Sequence, residues 1–335
     1  MPTEVIVEIG NSHDGSLGIA KCFIDMAKST GASVVKFQMH IAEFESSESD
    51  EFRVQFSDQD KTRVSYWNRV AFTPEQWELI SNYCDSQDIE FLCTPFSTEA
   101  AEILMQVTSI KRWKVGSGDA VNFPLIDYLA STKLPLIIST GLISWAEITI
   151  LKDRLLRLGA WSRTTLMHCV SQYPTPLENS GINIISELKK LGCSVGLSDH
   201  SGKLSPSLMA ISQGISMLEI HLTPHPLFFG PDVSSSLTTE QIKFISDFAH
   251  EVEVLNANSR TKDSLFEDAS KTRKLFRKGV YWKSDLEAGK TIKYSDLIFL
   301  KPSQEIDSFD FEKVVGKVLT RPVIARKAAK FDDFE

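Results

Sequence analysis

The sequence lacks the features that mark several classes of protein. No apolar run approaches the about 20 residues of a membrane-spanning helix, and the N-terminus has no basic segment followed by an apolar one. The five cysteines are scattered and form no C-x-x-C pair, which argues against a disulfide framework or a zinc cluster. The net charge is −8, and Lys and Arg are not clustered. We therefore expect a cytoplasmic protein that binds neither membrane nor nucleic acid.

The sequence does contain a repeated alternation of apolar strands and amphipathic helices. Eight short apolar or β-branched runs are predicted strands, and they cover 4–10, 33–38, 90–96, 112–118, 135–141, 164–170, 193–199 and 216–222. Strands that are continuously apolar are buried on both faces, and their alternation with helices indicates parallel pairing. The pattern predicts an α/β fold, a (β/α)8 TIM barrel, whose chemistry lies at the carboxyl ends of the strands.

Three further segments complete the predicted organisation. The barrel is predicted over 1–255, a polar linker over 256–275, and a small, mostly β module with Gly and Pro turns over 276–335. Between the second and third strand units, residues 39–73 form a longer excursion with an acidic stretch. Insertions at this end of a barrel commonly carry function, and we expect a lid or wall over the barrel mouth.

Two histidines follow the seventh and eighth predicted strands. Because these strands are neighbours in the barrel, the imidazoles of His200 and His221 can converge on one point, with Asp199 beside them. Two neutral imidazoles without a nearby cysteine suit a divalent ion such as manganese, cobalt or zinc, with water and substrate oxygens completing the shell. The alternative is that each histidine only forms a hydrogen bond with a neighbouring loop.

Two lysines lie at the ends of strands that should be buried. An ammonium group there is costly unless an anion compensates it, so Lys36 and Lys114 predict a pocket for a small phosphorylated or carboxylated molecule. Hydroxyl groups and glycines that could approach an anion lie at the same strand ends, and they are Thr94, Ser117, Ser139, Ser198, Gly116, Gly118 and Gly141. The alternative is an internal ion network in which the lysines pair with Glu8 and Asp119.

Nine ordered motifs resemble one enzyme family. They are EIGNSHDG, VKFQ, CTPF, KVGSGDAVNFPLIDYLA, PLIISTGL, HCVSQYPTP, GLSDHSG, LEIHLT and GPD. Over 4–255 the chain resembles the sialic acid synthase (N-acetylneuraminate synthase) family, including its legionaminic and pseudaminic acid relatives, and the C-terminal module resembles that family's antifreeze-like SAF domain. Such enzymes condense phosphoenolpyruvate with an acyl-amino sugar aldehyde resembling N-acetylmannosamine, and release inorganic phosphate by C–O cleavage. The resemblance also implies a homodimer in which each SAF domain reaches the partner barrel.

The resemblance implies a role for each residue at the strand ends. His200 and His221 would hold a divalent metal ion that polarises the aldehyde, manganese being favoured over cobalt, magnesium or zinc. Phosphoenolpyruvate would be held by Lys36, Thr94, Lys114, Ser117, Ser139 and Ser198. The sugar would be faced by Gln38, Asp119, Ser171, Tyr173, Asp232 and Lys301. The candidate catalytic groups would be Glu8, which could transfer a proton, with Lys114, Asp119 and Asp199.

Departures from the family pattern fall mainly on the sugar side. The chain has Ser12-His13-Asp14-Gly15 for Asn-His-Asn-Gly, Asp119 for Glu, Phe229-Gly230-Pro231-Asp232 for Pro-Gly-Pro-Asp, and Lys301-Pro302-Ser303 for Arg-Pro-Gly. Lys301 keeps the positive charge but loses the planar fork of arginine. We therefore expect the family's reaction class with a different acceptor sugar.

Two other functions remain open from the sequence. One is a barrel lyase or aldolase that uses Lys36 or Lys114 as a Schiff base. The other is a non-catalytic carbohydrate-binding protein, in which the altered sugar-facing positions reflect lost chemistry. Retention of both histidines and both lysines argues against the second.

Overall fold

The structure, a computed structural model, describes residues 3–47, 49–52, 56 and 58–335. The chain divides into two compact units, Met1–Ala257 and Asn258–Glu335. In the first unit, eight parallel strands form a closed barrel in chain order, and the last strand pairs with the first. The prediction of an α/β fold with a (β/α)8 barrel is confirmed.

The eight strands lie where the apolar runs predicted them. They are β1 (Glu4–Gly10), β2 (Val34–Met39), β3 (Glu90–Pro95), β4 (Trp113–Val115), β5 (Leu136–Ser139), β6 (Thr164–Cys169), β7 (Ser194–Asp199) and β8 (Met217–His221). The helices of this unit are α1 (Leu17–Ser29), α2 (Ala42–Glu45), α3 (Arg63–Val70), α4 (Pro74–Ser86), α5 (Thr98–Val107), α6 (Phe123–Ser131), α7 (Trp145–Arg157), α8 (Ile184–Lys189), α9 (Leu204–Ser212) and α10 (Thr239–Ala257). Within the described part of the chain, no helix is long and apolar enough to span a membrane.

Side chains fill the inside of the barrel in layers, because successive residues of a strand point to opposite faces. One layer is apolar and fully buried, and it consists of Ile6, Val34, Leu92, Ile137 and Met167. Further toward the carboxyl ends, the same inward faces carry polar groups, namely Glu8, Lys36, Thr94, Lys114, Ser139, Ser198 and Glu219. The apolar layer therefore lies directly beneath the polar groups of the site.

A half-buried ion cluster joins strands at the opposite, amino-terminal end of the barrel. The Arg112 guanidinium donates to both carboxylate oxygens of Glu4, at 2.6 and 2.7 Å, and to Glu90 at 2.7 Å. These three residues begin β1 and β3 and directly precede β4. Paired, charge-assisted bonds of this kind are stronger than ordinary hydrogen bonds, so the cluster fixes three strand starts together.

The predicted excursion between β2 and α4 contains the two short helices α2 and α3. Its described residues form an aromatic cluster in which Tyr66 and Trp67 pack with Phe52 and Phe56. Five residues of this segment lie outside the described residues, and they are Glu48, Arg53, Val54, Gln55 and Ser57. Part of the acidic stretch is among them.

The second unit begins with helices α11 (Lys262–Asp268) and α12 (Ser270–Phe276), followed by strands β9 (Gly279–Trp282) and β10 (Leu297–Leu300). The two strands pair antiparallel, and isolated bridges such as Leu286 with Val323 extend the β structure. A small core includes Val280, Trp282 and Ile292. The two helices cover most of the segment that was predicted as a polar linker over 256–275, and α12 ends one residue beyond it. The likeness of this unit to an SAF domain stays a prediction.

Replacing Arg112 tests the role of the amino-terminal ion cluster. Arg112→Ala leaves the half-buried carboxylates of Glu4 and Glu90 without their partner, and should lower the free energy of unfolding by about 2 kcal/mol in urea denaturation. The matched control is Arg154→Ala, which breaks a more exposed pair with Asp127 between α7 and α6. This control should cost about 0.5 kcal/mol. Equal losses for the two variants would contradict a special role for the cluster.

Candidate active site

A pocket of about 360 Å³ lies at the carboxyl ends of the barrel strands. Most of the predicted site residues line it, as expected for side chains at the ends of parallel strands. They are Glu8, Lys36, Gln38, Thr94, Lys114, Ser117, Ser139, Ser171, Tyr173, Ser198, His200, His221 and Asp232. Residues far apart in sequence are thus brought to one cavity by the closure of the barrel.

Three predicted site residues do not line this pocket. Asp119 lies just beyond β4 and accepts a hydrogen bond from Asn122 at 3.0 Å, and partial burial raises the pKa of its carboxyl group. Lys301 is an exposed residue of the second unit, where its ammonium lies 5.3 Å from the ring centre of Phe276. Asp199 lies on the strand face opposite to its neighbours Ser198 and His200.

Asp199, which was predicted to be a catalytic group, does not line the pocket. Its carboxylate accepts hydrogen bonds from the Ser201 amide at 2.9 Å and from the Ser207 hydroxyl at 2.8 Å. Because side chains alternate along β7, Asp199 points away from the pocket toward α9. Asp199 is therefore placed to hold the loop after β7, and this loop begins with His200.

The floor of the pocket holds two buried lysines and two buried glutamates. The Lys36 ammonium lies 2.6 Å from Glu8 and 3.5 Å from Glu219. The Lys114 ammonium lies 3.6 Å from Glu219 and donates to the Ser139 hydroxyl at 2.6 Å. The alternative of an internal ion network is therefore right for Lys36 and Glu8, but the second carboxylate belongs to Glu219 and not to Asp119.

This charge cluster shifts the pKa values of its members in different directions. Burial by itself would lower the pKa of Lys36, but the carboxylates of Glu219 and Glu8 outweigh it and raise the pKa. Burial lowers the pKa of Lys114, and the charge of Lys36 adds to this effect. For Glu219, the ammonium groups of Lys114 and Lys36 outweigh burial and lower the pKa to about 2. Glu219 is thus an anion near neutral pH.

The sequence analysis did not identify Glu219. The signal was present in the run SMLEIHL, where Glu219 precedes His221 by two residues and so shares its strand face. A carboxylate in a buried strand on the same face as a candidate metal ligand has to meet a cation inside the barrel. Applying the period of two to every predicted strand would have included it.

Hydroxyl groups complete the floor of the pocket, and one of them bonds to the backbone of Gly141. Ser198 donates to Glu219 at 3.0 Å, whereas the Thr94 hydroxyl is buried with no hydrogen-bond partner among the described residues. Ser117 accepts a hydrogen bond from the Gly141 amide at 3.1 Å. A Cβ atom at Gly141 would come within 2.6 Å of Cys169 Sγ, so no larger residue fits this turn.

The two histidines meet at the mouth of the barrel with their ring centres 5.4 Å apart. His200 Nδ1 lies 2.8 Å from the carbonyl oxygen of Val170, so Nδ1 carries the hydrogen. His200 Nε2 therefore presents its lone pair on the side of the Tyr173 and Ser198 hydroxyls, at 3.1 and 3.2 Å. Burial, aided by His221, lowers the pKa of His200 to about 3, which keeps the ring neutral.

These imidazoles fit a divalent metal ion. A carbonyl that fixes the hydrogen on one ring nitrogen is the usual support of a ligating histidine. The described residues contain no group of three or more His, Cys, Asp and Glu side chains placed to hold an ion. An ion at His200 and His221 would therefore need its other ligands from water or substrate, and metal binding here stays a prediction. The alternative of loop anchoring stays open, because His200 Nδ1 bonds to the Val170 carbonyl and His221 Nδ1 lies 3.9 Å from Asp232 in the loop after β8.

An aromatic wall from the excursion faces the polar floor. Phe52, Phe56, Tyr66 and Trp67 line the pocket together with Arg63, as the prediction of a wall over the barrel mouth required. Phe229, at one of the positions that depart from the family pattern, packs against Phe56 with ring centres 5.6 Å apart.

A salt-bridge network ties this wall to the barrel. Arg69 of α3 bridges Asp60 and Asp14 at 2.8 Å each, and Asp14 lies in the loop after β1. Asp14 is another departure from the family pattern. The pocket thus has a largely aromatic wall and a charged floor.

Comparisons with known proteins find relatives along nearly the whole chain. The N,N'-diacetyllegionaminic acid synthase of Legionella pneumophila is 29% identical over 339 residues, covering 99% of this chain and 94% of the relative. The human N-acetylneuraminate-9-phosphate synthase is 31% identical over 240 residues, covering 70% of this chain and 66% of the relative. The N-acetylneuraminic acid (sialic acid) synthetase of Leptospira borgpetersenii has the same fold, with a TM-score of 0.70 at 23% identity over 81% of this chain and 92% of that chain.

A family profile gives the assignment directly. The profile of the NeuB family matches residues 23–261, which span most of the barrel unit. The resemblance inferred from nine ordered motifs is confirmed, and this chain belongs to the NeuB family.

Proposed function

We propose that this protein condenses phosphoenolpyruvate with an acyl-amino sugar aldehyde to form a sialic-acid-like nonulosonic acid and inorganic phosphate. The observation that carries the proposal is the position of two imidazoles beside a buried pair of lysines at one barrel mouth. The names of the relatives, which are synthases of legionaminic acid and of N-acetylneuraminate 9-phosphate, support the same reaction class.

The reaction balances without an external oxidant or reductant. C3 of phosphoenolpyruvate forms the new C–C bond with the aldehyde carbon, and water adds at C2. The bond between C2 and the bridging oxygen then breaks, so that the oxygen leaves with the phosphate. The sugar is thereby extended by three carbons, and the protein has to bind an anion, orient an aldehyde and transfer protons.

Phosphoenolpyruvate would bind on the charged floor of the pocket. Lys36 and Lys114 supply buried ammonium groups, and Thr94 and Ser139 supply hydroxyl groups. The pKa of Lys114 is lowered by burial, and a bound anion would favour its charged form. Anion binding and protonation of Lys114 would therefore reinforce each other.

The aldehyde would lie between the histidine pair and the aromatic wall. A divalent ion held by His200 and His221 would supply Lewis-acid polarisation of the carbonyl group. Glu8 accepts hydrogen bonds from Lys36 and Gln38, both at 2.6 Å, which orient its carboxylate for proton transfer at the sugar. The wall of Phe56, Tyr66 and Trp67 would limit the access of bulk water.

Phosphate release gives the direct test of the proposed function. The purified protein, loaded with Mn²⁺, is incubated with phosphoenolpyruvate and a panel of acyl-amino aldoses, and phosphate is measured. Release should require both substrates, should stop when a chelator removes the metal, and should return when Mn²⁺ is added back.

A Schiff-base enzyme is the outcome that would overturn this proposal. The lowered pKa of Lys114 is the observation that favours it, because an uncharged lysine is the nucleophile in such enzymes. Borohydride with a carbonyl substrate would then attach the substrate covalently to the lysine, in a protein that releases no phosphate with any aldose. The proposed synthase should remain unmodified.

Removal of one imidazole tests the proposed metal pair. His221→Ala should lower phosphate release by about 100-fold or more and weaken Mn²⁺ binding in calorimetry, while the thermal midpoint of the metal-free protein changes little. The control is His225→Ala, an exposed histidine four residues along the chain that does not line the pocket. It should match the parent protein in both measurements. Full activity in His221→Ala would refute the metal pair.

We also propose that the protein is a homodimer in which the second unit, with Lys301, completes the partner's barrel. Mixing inactive His221→Ala with inactive Lys301→Ala and allowing the subunits to exchange should then restore activity. Equal random mixing should recover about a quarter of the parent's sites, because half of the dimers are mixed and each has one intact site. If the Lys301→Ala protein alone is fully active, or if the mixture stays inactive after proven exchange, this arrangement is wrong.

A further inference from the structure

A buried histidine lies directly behind the pocket wall. His40 follows β2 and is 7% exposed, but it does not line the pocket. Its ring stacks on Trp67, with centres 3.6 Å apart and planes 5° apart, and on Phe96, at 4.2 Å and 15°. Trp67 and Phe96 both line the pocket, so His40 packs behind the aromatic side of the site.

Hydrogen bonds connect His40 to the candidate proton-transfer group. His40 Nδ1 lies 2.7 Å from Glu45 Oε1, and His40 Nε2 lies 3.2 Å from Gln38 Oε1. Gln38 Nε2 donates to Glu8 at 2.6 Å, and Asn11 donates to Gln38 Oε1 at 3.4 Å. Among the described residues, Glu45 Oε2 is buried without a hydrogen-bond partner. The contact with His40 is thus the one that fixes this carboxyl group.

The pattern of donors and acceptors fixes the orientation of the Gln38 amide. Glu8 as a carboxylate only accepts, so the NH2 end of Gln38 has to face it and the Oε1 end has to face His40. The Glu45–His40 pair has three forms. Imidazolium with carboxylate and imidazole with carboxylic acid keep a hydrogen on Nε2, whereas a neutral imidazole that donates Nδ1–H to the carboxylate does not. Because the Gln38 Oε1 atom faces Nε2 at 3.2 Å, the geometry favours the forms that keep this hydrogen. Without that hydrogen, Nε2 would present a lone pair to Oε1 and favour a rotated amide that abandons Glu8.

We propose that His40 is a positioning residue, which Glu45 holds between Trp67 and Phe96 and which fixes the Gln38 amide against Glu8. Gln38 and Glu8 both line the pocket, so this arrangement orients the half of the site that would meet the sugar. The expected effect of His40 on catalysis rests on the proposed function. The side-chain geometry does not depend on that function.

Two substitutions of His40 separate hydrogen bonding from packing. In His40→Asn the amide nitrogen comes near the position of Nδ1 and can still meet Glu45, whereas in His40→Gln it reaches the position of Nε2 and can still donate to Gln38. Both variants lose the ring and its stacking. His40→Gln should retain kcat/KM for the aldose at least about 10-fold better than His40→Asn, with KM for phosphoenolpyruvate unchanged in both. Equal losses would mean that His40 only fills space, and would overturn the proposal.

Two controls make this comparison specific. In a Gln38→Ala background, the difference between the two His40 variants should disappear, because their common target is gone. The matched pair His13→Asn and His13→Gln alters another buried histidine, which stacks on Phe72 at 4.4 Å and does not line the pocket. These two variants should not differ from each other in kcat/KM for the aldose. A difference that persists without Gln38 would contradict the inference.

A neutron crystal structure of the parent protein tests the geometry independently of activity. It should show deuterium on His40 Nε2 and the two amide deuterons of Gln38 on the side of Glu8. An Nε2 atom without deuterium would overturn the inference even in an active enzyme. Absence of turnover with every aldose would instead overturn the proposed function, and the neutron result would still decide the role of His40.

Discussion

The pairing of Lys36 and Lys114 with Glu8 and Glu219 is the interaction on which the rest of the site depends. Each of these side chains is almost fully buried, and an unpaired charge at this depth would cost several kcal/mol. The closed barrel makes the pairing possible, because four different strands direct these groups into one layer above the apolar layer of the barrel. The cluster also keeps two ammonium groups charged or chargeable in a place where an anionic substrate can reach them.

The other parts of the pocket are arranged around this cluster. Glu219 lies two residues before His221 on β8, so the charged floor of the pocket and the candidate metal pair are joined through one strand. Ser198 connects the same glutamate to the side of His200 that presents the lone pair. The aromatic wall from residues 39–73 stands opposite and is tied to the barrel through Arg69. An anion, a carbonyl group and an apolar sugar substituent would each meet a different side of one cavity.

Much of this architecture could be predicted from the sequence, because barrel strands produce continuous apolar runs and polar residues mark their carboxyl ends. The positions of Lys36 and His221 follow from that pattern. Glu219 and the orientation of Asp199 required the alternation of side chains within a strand, which decides what faces the pocket. The role of His40 could not be predicted, since it depends on an amide and two rings that only the fold brings together. The helices at 262–276 were missed because they lack a clear apolar period.

The fate of one oxygen atom tests the account most directly. Phosphoenolpyruvate labelled with ¹⁸O in the bridging position between C2 and phosphorus is converted with the accepted aldose, and the products are analysed by mass spectrometry. C–O cleavage predicts that the label leaves entirely with inorganic phosphate. Label retained in the sugar acid would show cleavage of the P–O bond and would contradict the proposed reaction.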